Sequence, residues 1–138
     1  MNIDSFGEKN IRNGNTSTLL SSEFCTTPEF ENLSQWVRLG ASHARSNPAC
    51  IEEHRQKLRA QGETEKRLDE LDHWRQSIAF TEREKAALAL SETVSLPESE
   101  EQSTLILKDA GRFFNIHQIV RLTLKIIAVN DWIDLRES

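Results

Sequence analysis

The stretch from Gln35 to His54, QWVRLGASHARSNPACIEEH, predicts two helices with a short break at Ser46-Asn47-Pro48 between them. Proline is tolerated at the first position of a helix, because the N–H that it lacks would be unpaired there anyway. Pro48 therefore marks the start of the second helix. Asn47 then falls at the N-cap, where its amide oxygen can accept a backbone N–H from the first helical turn.

Cys50 is placed by this reading in the first turn of the second helix, near unpaired N–H groups and the positive end of the helix dipole. That position predicts a thiol pKa below the usual value of about 8.5 and a larger fraction of nucleophilic thiolate. His54 follows at i+4 on the same helix face, so it can exchange a proton with the thiol. The alternative interpretation is a small buried cysteine next to a solvated histidine.

The composition is that of an acidic chain without a membrane segment. Seventeen basic and twenty-two acidic side chains give a net charge of −5, so we expect no nucleic-acid partner. No apolar run approaches the length of a membrane span, and no apolar signal-peptide core is present, so we expect no membrane association. Two cysteines, Cys25 and Cys50, do not make a secreted disulfide framework. We therefore expect a cytoplasmic protein.

The fold is predicted to be all-α, with about six helices in one domain. The chain has 138 residues, enough for a hydrophobic core, and only five glycines and three prolines. We place the helical domain at residues 18–138 and a flexible lead-in at residues 1–17. Four helix starts are predicted from N-cap residues. These are Thr27, Asn47, Thr81 and Asn115.

Three later helices have less distinct limits. One is predicted over residues 64–75 and another over residues 103–110, where Gly111 ends the pattern. The last helix, from the cap at Asn115 to about Leu135, is apolar nearly all round. Such a helix belongs at the centre of a bundle or at a subunit interface.

The quoted stretch resembles the core motif of the AhpD-like, or carboxymuconolactone decarboxylase, superfamily. The usual pattern is a glutamate, eleven residues, C-x-x-C, three residues and a histidine. Cys50 stands at the second cysteine, His54 at the histidine, and Ala41-Ser42 matches a frequent alanine-serine pair. Two positions depart from the pattern, because Asn47 replaces the first cysteine and Gln35 replaces the glutamate. The resemblance extends over most of the chain from about residue 28 onward.

The resemblance implies specific roles for these residues. In relatives with both cysteines, the pair reduces peroxide by cycling between dithiol and disulfide, and the histidine and glutamate relay protons. Cys50 would be the attacking thiol and His54 the proton carrier. Asn47 cannot form a disulfide, and Gln35 can donate or accept hydrogen bonds but cannot carry a proton at neutral pH. His43, four residues before Asn47, is a further candidate for the missing acid–base group.

Three functions are open at this point. The first is a single-cysteine alkylhydroperoxidase or peroxiredoxin-type antioxidant enzyme that takes a peroxide substrate and an external thiol reductant. The second is a lyase of the decarboxylase branch, in which His54 and His43 transfer protons. The third is a catalytically degenerate member that acts as a binding or assembly protein.

The remaining expectations concern partners and cofactors. Single-motif relatives form trimers or hexamers, so the resemblance implies a homo-oligomer. We expect no cofactor and no metal ion, because histidine and cysteine at i, i+4 without a further ligand cluster are a weak zinc signal. Cys25 can in principle resolve an oxidised Cys50, but no sequence pattern brings the two together.

Overall fold

The computed structural model describes residues 27–137, which contain six α-helices and no β-strand. The all-α prediction is confirmed. The helices are α1 Pro28–Ala44, α2 Pro48–Ala60, α3 Glu65–Asp69, α4 Glu82–Ser95, α5 Glu100–Ala110 and α6 Ile116–Glu137, and a 3₁₀ turn, Glu70–His73, follows α3. The predicted lead-in over residues 1–17 and Cys25 lie outside the described residues. The chain divides into a compact unit that ends at Glu31 and a second that begins at Asn32.

The predicted N-caps are present at the starts of α1, α4 and α6. Thr27 accepts the backbone N–H three residues later at 3.1 Å. Thr81 and Glu84 form a reciprocal capping box, in which each side chain accepts the other residue's backbone N–H. Asn115 and Gln118 are paired in the same reciprocal way, at 2.9 and 3.0 Å. These local bonds satisfy first-turn donors that would otherwise lack a partner.

The core of the second unit forms where α1 meets α2, the α3 region and α4. Its buried cluster consists of Trp36, Leu39, Leu58, Leu68, Leu71, Phe80 and Leu88. The rings of Trp36 and Phe80 pack edge to face, with centroids 5.0 Å apart. Burying a side chain of this size stabilises the fold by roughly 1.5–3 kcal/mol. The cluster therefore holds α1 and α2 firmly together, and these are the helices that flank the break at Asn47.

Helices α1 and α4 approach closely because small residues face each other. A Cβ added at Gly40 would lie 3.1 Å from the Ser91 Cβ and 3.2 Å from Leu88. The Ser91 hydroxyl donates to the Val37 carbonyl at 2.9 Å across this contact. A side chain at position 40 would require Ser91 and Leu88 to shift by a few tenths of an ångström, so glycine suits this close approach of α1 and α4.

Two element boundaries differ from the prediction. The fifth helix begins at Glu100 rather than at residue 103, because Ser99 caps it by accepting the Gln102 N–H at 3.1 Å. The helix predicted over residues 64–75 changes to 3₁₀ geometry after Asp69. Leu68, Leu71 and Trp74 follow one another at intervals of three, and all three reach the core cluster. That spacing matches the three residues per turn of a 3₁₀ helix.

Helix α6 is only partly buried. Its buried residues are Leu122, Ile126, Val129 and Ile133. Its other face exposes large apolar side chains, namely Ile116, Val120, Leu124, Ile127 and Trp132. None of the helices within residues 27–137 has the length and apolarity that crossing a bilayer requires.

Candidate active site

The site is built on the turn that joins α1 to α2. Ser46 has a φ of 53°, in the left-handed region, and reverses the chain there. The Asn47 N–H donates to the Ser42 carbonyl at 3.1 Å, which ends α1. Asn47 itself is extended, and its Oδ1 accepts the Cys50 N–H at 3.0 Å. The predicted N-cap is confirmed, and Pro48 occupies the first helical position.

Cys50 and His54 are both buried on α2, with 4% and 7% of their surface exposed. Cys50 is in the first turn, and its thiol is free. His54 Nδ1 lies 3.3 Å from Oε1 of Gln35, which is buried on α1. An amide oxygen can only accept a hydrogen bond, so Nδ1 carries the proton and Nε2 has the lone pair. Gln35 thus fixes the tautomer of His54.

The thiol pKa differs from the prediction. Burial raises the pKa of Cys50 above its ordinary value, the carboxylates of Glu53 and Glu137 raise it further, and Arg136 opposes them. The prediction that the helix N-terminus lowers the pKa of the Cys50 thiol was therefore wrong. The Cys50 N–H is already bonded to Asn47, so it does not stabilise the sulfur, and a desolvated thiol favours its neutral form.

The imidazole is shifted in the complementary direction. Burial lowers the pKa of His54 to about 4, with Lys57 and Arg38 acting in the same sense and Glu53 against them. At neutral pH the site therefore holds a neutral imidazole next to a neutral thiol. Because His54 lies one helical turn after Cys50 on α2, the two side chains share one face of the helix.

The end of α6 is bound to the same turn. The Asn47 Nδ2 group donates to Glu137 Oε2 at 3.2 Å. Arg45, just before the turn, donates to Asn130 at 2.7 Å and to Asp134 at 2.5 Å. A second carboxylate oxygen of Glu137 lies 3.7 Å from the Arg45 guanidinium. The last turns of α6 are therefore part of the structure that positions Cys50.

Comparison with known proteins finds a family that resembles part of the chain. The pattern of the family described as "Carboxymuconolactone decarboxylase family" matches residues 33–93, from α1 into α4. The Bacillus subtilis (strain 168) protein called "Uncharacterized protein YdfG" is 30% identical over 96 residues, which make up 70% of this chain and 65% of that protein's length. Over residues 33–93 the chain is therefore similar to the carboxymuconolactone decarboxylase family.

The fold of this chain is also found in a solved structure. It is similar to the crystal structure of a protein of unknown function from Agrobacterium tumefaciens, described as a proposed antioxidant defence protein AhpD. The TM-score is 0.69, the sequence identity is 24%, and the match covers 74% of this chain and 70% of that one. This likeness shows the AhpD-like helical fold.

The AhpD-like motif is altered at two positions, and both substitutes have defined contacts here. Asn47, at the position of the first cysteine, bonds Cys50 with its oxygen and Glu137 with its nitrogen. Gln35, at the position of the glutamate, bonds His54. The structure thus joins four of the predicted residues in two pairs, Asn47 with Cys50 and Gln35 with His54.

The fifth predicted residue, His43, is engaged elsewhere. Its Nε2 lies 2.8 Å from Asp72 Oδ1, and both side chains are exposed. It lines a shallow hollow of about 130 Å³ with Trp74 and Arg75. Within residues 27–137 no hydrogen bond joins His43 to Cys50 or His54, and no three metal-ligating side chains come together. A lyase that uses His43 with His54 gains no support from this arrangement.

The sequence analysis missed Arg45 and Glu137. Asn47 and Glu137 are separated by 90 positions, so no local pattern connects them. The available signal was the presence of Asp134 and Glu137 near the end of an otherwise apolar helix. Acidic residues at a helix C-terminus oppose the helix dipole and therefore call for a cationic partner, which Arg45 supplies.

Proposed function

We propose that this protein reduces hydroperoxides, with Cys50 as its single attacking thiol and His54 as the proton carrier. The observation that supports this is the buried pair on one face of α2, in which Gln35 holds the His54 proton on Nδ1. The Nε2 lone pair is then available to accept the thiol proton. Because Asn47 cannot form a disulfide, an external thiol must complete the cycle.

The chemical steps balance with two reducing thiols. The Cys50 proton passes to His54, and the thiolate attacks the distal peroxide oxygen, so that an S–O bond forms and the O–O bond breaks. The leaving alkoxide takes the proton back from His54. An external thiol then condenses with the sulfenic acid to a mixed disulfide and water. A second external thiol displaces Cys50 and leaves as a disulfide.

The protonation states predict a slow reaction at neutral pH. The pKa of Cys50 is raised and that of His54 is lowered to about 4, so transfer of the proton to the imidazole is uphill. The rate is expected to increase as the thiol ionises at alkaline pH.

The test is to trap the first oxidised product. Protein is treated with hydrogen peroxide and dimedone at neutral and alkaline pH, and the adduct on the Cys50 peptide is measured by mass spectrometry. The background is Cys25→Ser, so that only Cys50 reports, and Cys50→Ser is the negative control. An adduct on Cys50 whose yield rises with pH supports the proposal. Absence of any adduct at alkaline pH contradicts it.

A second candidate function is a non-catalytic assembly protein. The observation that favours it is the set of exposed apolar side chains on α5 and α6. They include Leu105, Leu107, Val120, Leu124 and Ile127. A contiguous exposed apolar patch marks an interaction surface in many proteins. This candidate becomes the better one if Cys50 does not react with peroxide while the protein self-associates.

A further inference from the structure

Two carboxylates from different helices belong to the surroundings of Cys50, Glu53 on its own helix and Glu137 through Asn47. Glu53 is one turn after Cys50 on α2. Glu137 is on the last turn of α6 and is connected through Asn47, whose side-chain amide accepts the Cys50 N–H at 3.0 Å and donates to Glu137 at 3.2 Å. The Glu137 carboxylate is therefore one amide group away from the Cys50 backbone. Both carboxylates are about half exposed, whereas Cys50 is buried.

Cations near the site are engaged by other groups. Lys57 lies 3.3 Å from the Glu53 carboxylate. Arg45 bonds Asp134 at 2.5 Å and is 3.7 Å from Glu137. Arg136 lies over the ring of Trp132, 5.3 Å from its centroid. These cations reduce the negative potential but do not reverse it, since the charges that act on the thiol are two carboxylates against one guanidinium.

We infer that Glu53 and Glu137 make the Cys50 site selective for uncharged hydroperoxides and for thiol reductants that are not anionic. The inference rests on the proposed peroxidase function and specifies its substrate class. The negative charge of these carboxylates repels an anion near the sulfur, whereas a neutral molecule is not repelled. Because both carboxylates reach solvent, the selectivity is moderate and is screened by salt.

The experiment compares disulfide probes of different charge. Protein on the Cys25→Ser background reacts with dianionic 5,5′-dithiobis(2-nitrobenzoate) and with neutral 4,4′-dithiodipyridine. In each case the Cys50 thiolate forms a mixed disulfide and one coloured leaving group is released. The measured quantity is the ratio of the neutral to the anionic rate, divided by the same ratio for urea-unfolded protein. We expect this normalised ratio to be about five at low salt and to approach one near 1 M NaCl.

The matched variant is Glu53→Gln/Glu137→Gln. Glutamine keeps an oxygen that can accept the Asn47 N–H, so the variant removes charge and retains the bond at the turn. We expect the normalised ratio of this variant to fall to nearly one. Glu101→Gln on α5 is the control, because Glu101 is exposed and does not act on the Cys50 thiol. Its ratio should equal that of the parent protein.

The inference is overturned if the neutral-to-anionic rate ratio of the parent protein is the same in its folded and unfolded states, or if that ratio does not depend on salt. Both measurements use the parent protein, so neither requires the double variant to fold. An unchanged ratio in a folded double variant also overturns it. Because the probes are disulfides, the result does not depend on peroxide chemistry, and lack of peroxide reactivity overturns only the proposed function. A carboxylated hydroperoxide and its methyl ester then test the substrate class directly, the ester being expected to react faster.

Discussion

At the scale of single residues, the Cys50–His54 pair is held in its uncharged form. Burial acts on both groups and favours the neutral thiol and the neutral imidazole. Gln35 adds to this effect, because it bonds the imidazole without offering a negative charge that would stabilise imidazolium. The relay glutamate of the family pattern would act in the opposite direction. The chemistry of this site should therefore respond strongly to pH.

The alkylation rate of Cys50 tests the raised thiol pKa. For an acid with a raised pKa, the thiolate appears at higher pH than in an ordinary cysteine. With iodoacetamide on the Cys25→Ser background, we expect a half-maximal rate at a pH above about 8.5. A short cysteine peptide measured in parallel is the reference. A half-maximal rate below the reference value would show that the helix N-terminus prevails over burial.

His54 makes the free energy of unfolding depend on pH. Its folded pKa, about 4, is below its unfolded value, so its contribution is complete above the unfolded pKa and is lost as pH falls toward the folded one. Between about pH 6.5 and pH 4 we expect a loss of up to about 3 kcal/mol in urea unfolding. His54→Gln should flatten this part of the pH profile. His117→Gln, at an exposed position, should leave it unchanged.

Substitution of Asn47 tests the double role of its amide. Asn47→Cys removes both the cap bond to Cys50 and the bond to Glu137, and should lower the free energy of unfolding by about 1–2 kcal/mol. The new thiol has C-x-x-C spacing to Cys50, so peroxide should produce a disulfide between them, visible in non-reducing peptide maps. Asn47→Ser keeps a capping oxygen and should be less destabilising. Equal stability of the two variants would show that the cap bond to Cys50 contributes nothing.

At the scale of the helices, local signals predicted starts well and long-range contacts poorly. The caps at Thr27, Thr81 and Asn115 depend on residues within one turn, so they could be read from the sequence. Gln35 and His54 were both predicted as site residues from the family motif, but the bond between them was not predicted. The anchoring of α6 through Arg45 depends on residues 85 to 89 positions away, which no periodicity reveals. Burial of the thiol was only the alternative interpretation of the sequence, because it depends on how several helices pack together.

Arg67 joins the α3 region to α1 and α4. Its guanidinium lies 5.0 Å from the ring centroids of Trp36 and Phe80 and donates to both Glu63 and Glu84. Arg67→Met would leave two largely buried carboxylates without their shared cation, and we expect a loss of about 3 kcal/mol in urea unfolding.

The control for Arg67 is Arg112→Met. Arg112 pairs with Asp109 at 2.8 Å on the exposed end of α5, and such a pair contributes little. Its removal should change stability by less than about 0.5 kcal/mol. A comparable loss in the two variants would show that the position of Arg67 between the two rings has no special effect.

At the scale of the whole molecule, we propose that the chain forms a homo-oligomer through the exposed face of α6. Val120 and Leu124 are adjacent on that face and are 48% and 55% exposed. Light scattering should return a multiple of the 15.8 kDa chain mass, and Val120→Lys/Leu124→Lys should return the monomer, because buried lysines oppose association. Ile78→Lys, at a fully exposed position outside the helices, should not change the mass. A monomeric parent protein would contradict the proposal.

The bond between Asn47 and Glu137 couples two positions that are 90 residues apart in the chain. Position 47 now contributes to stability through a partner at the far end of the described chain. A return to cysteine would give the protein a resolving thiol and in the same step loosen its terminal helix. A change at Glu137 that removes its acceptor oxygen would, conversely, leave the Asn47 amide without this bond. The two positions have become mutually contingent, and each restricts the substitutions that selection can accept at the other.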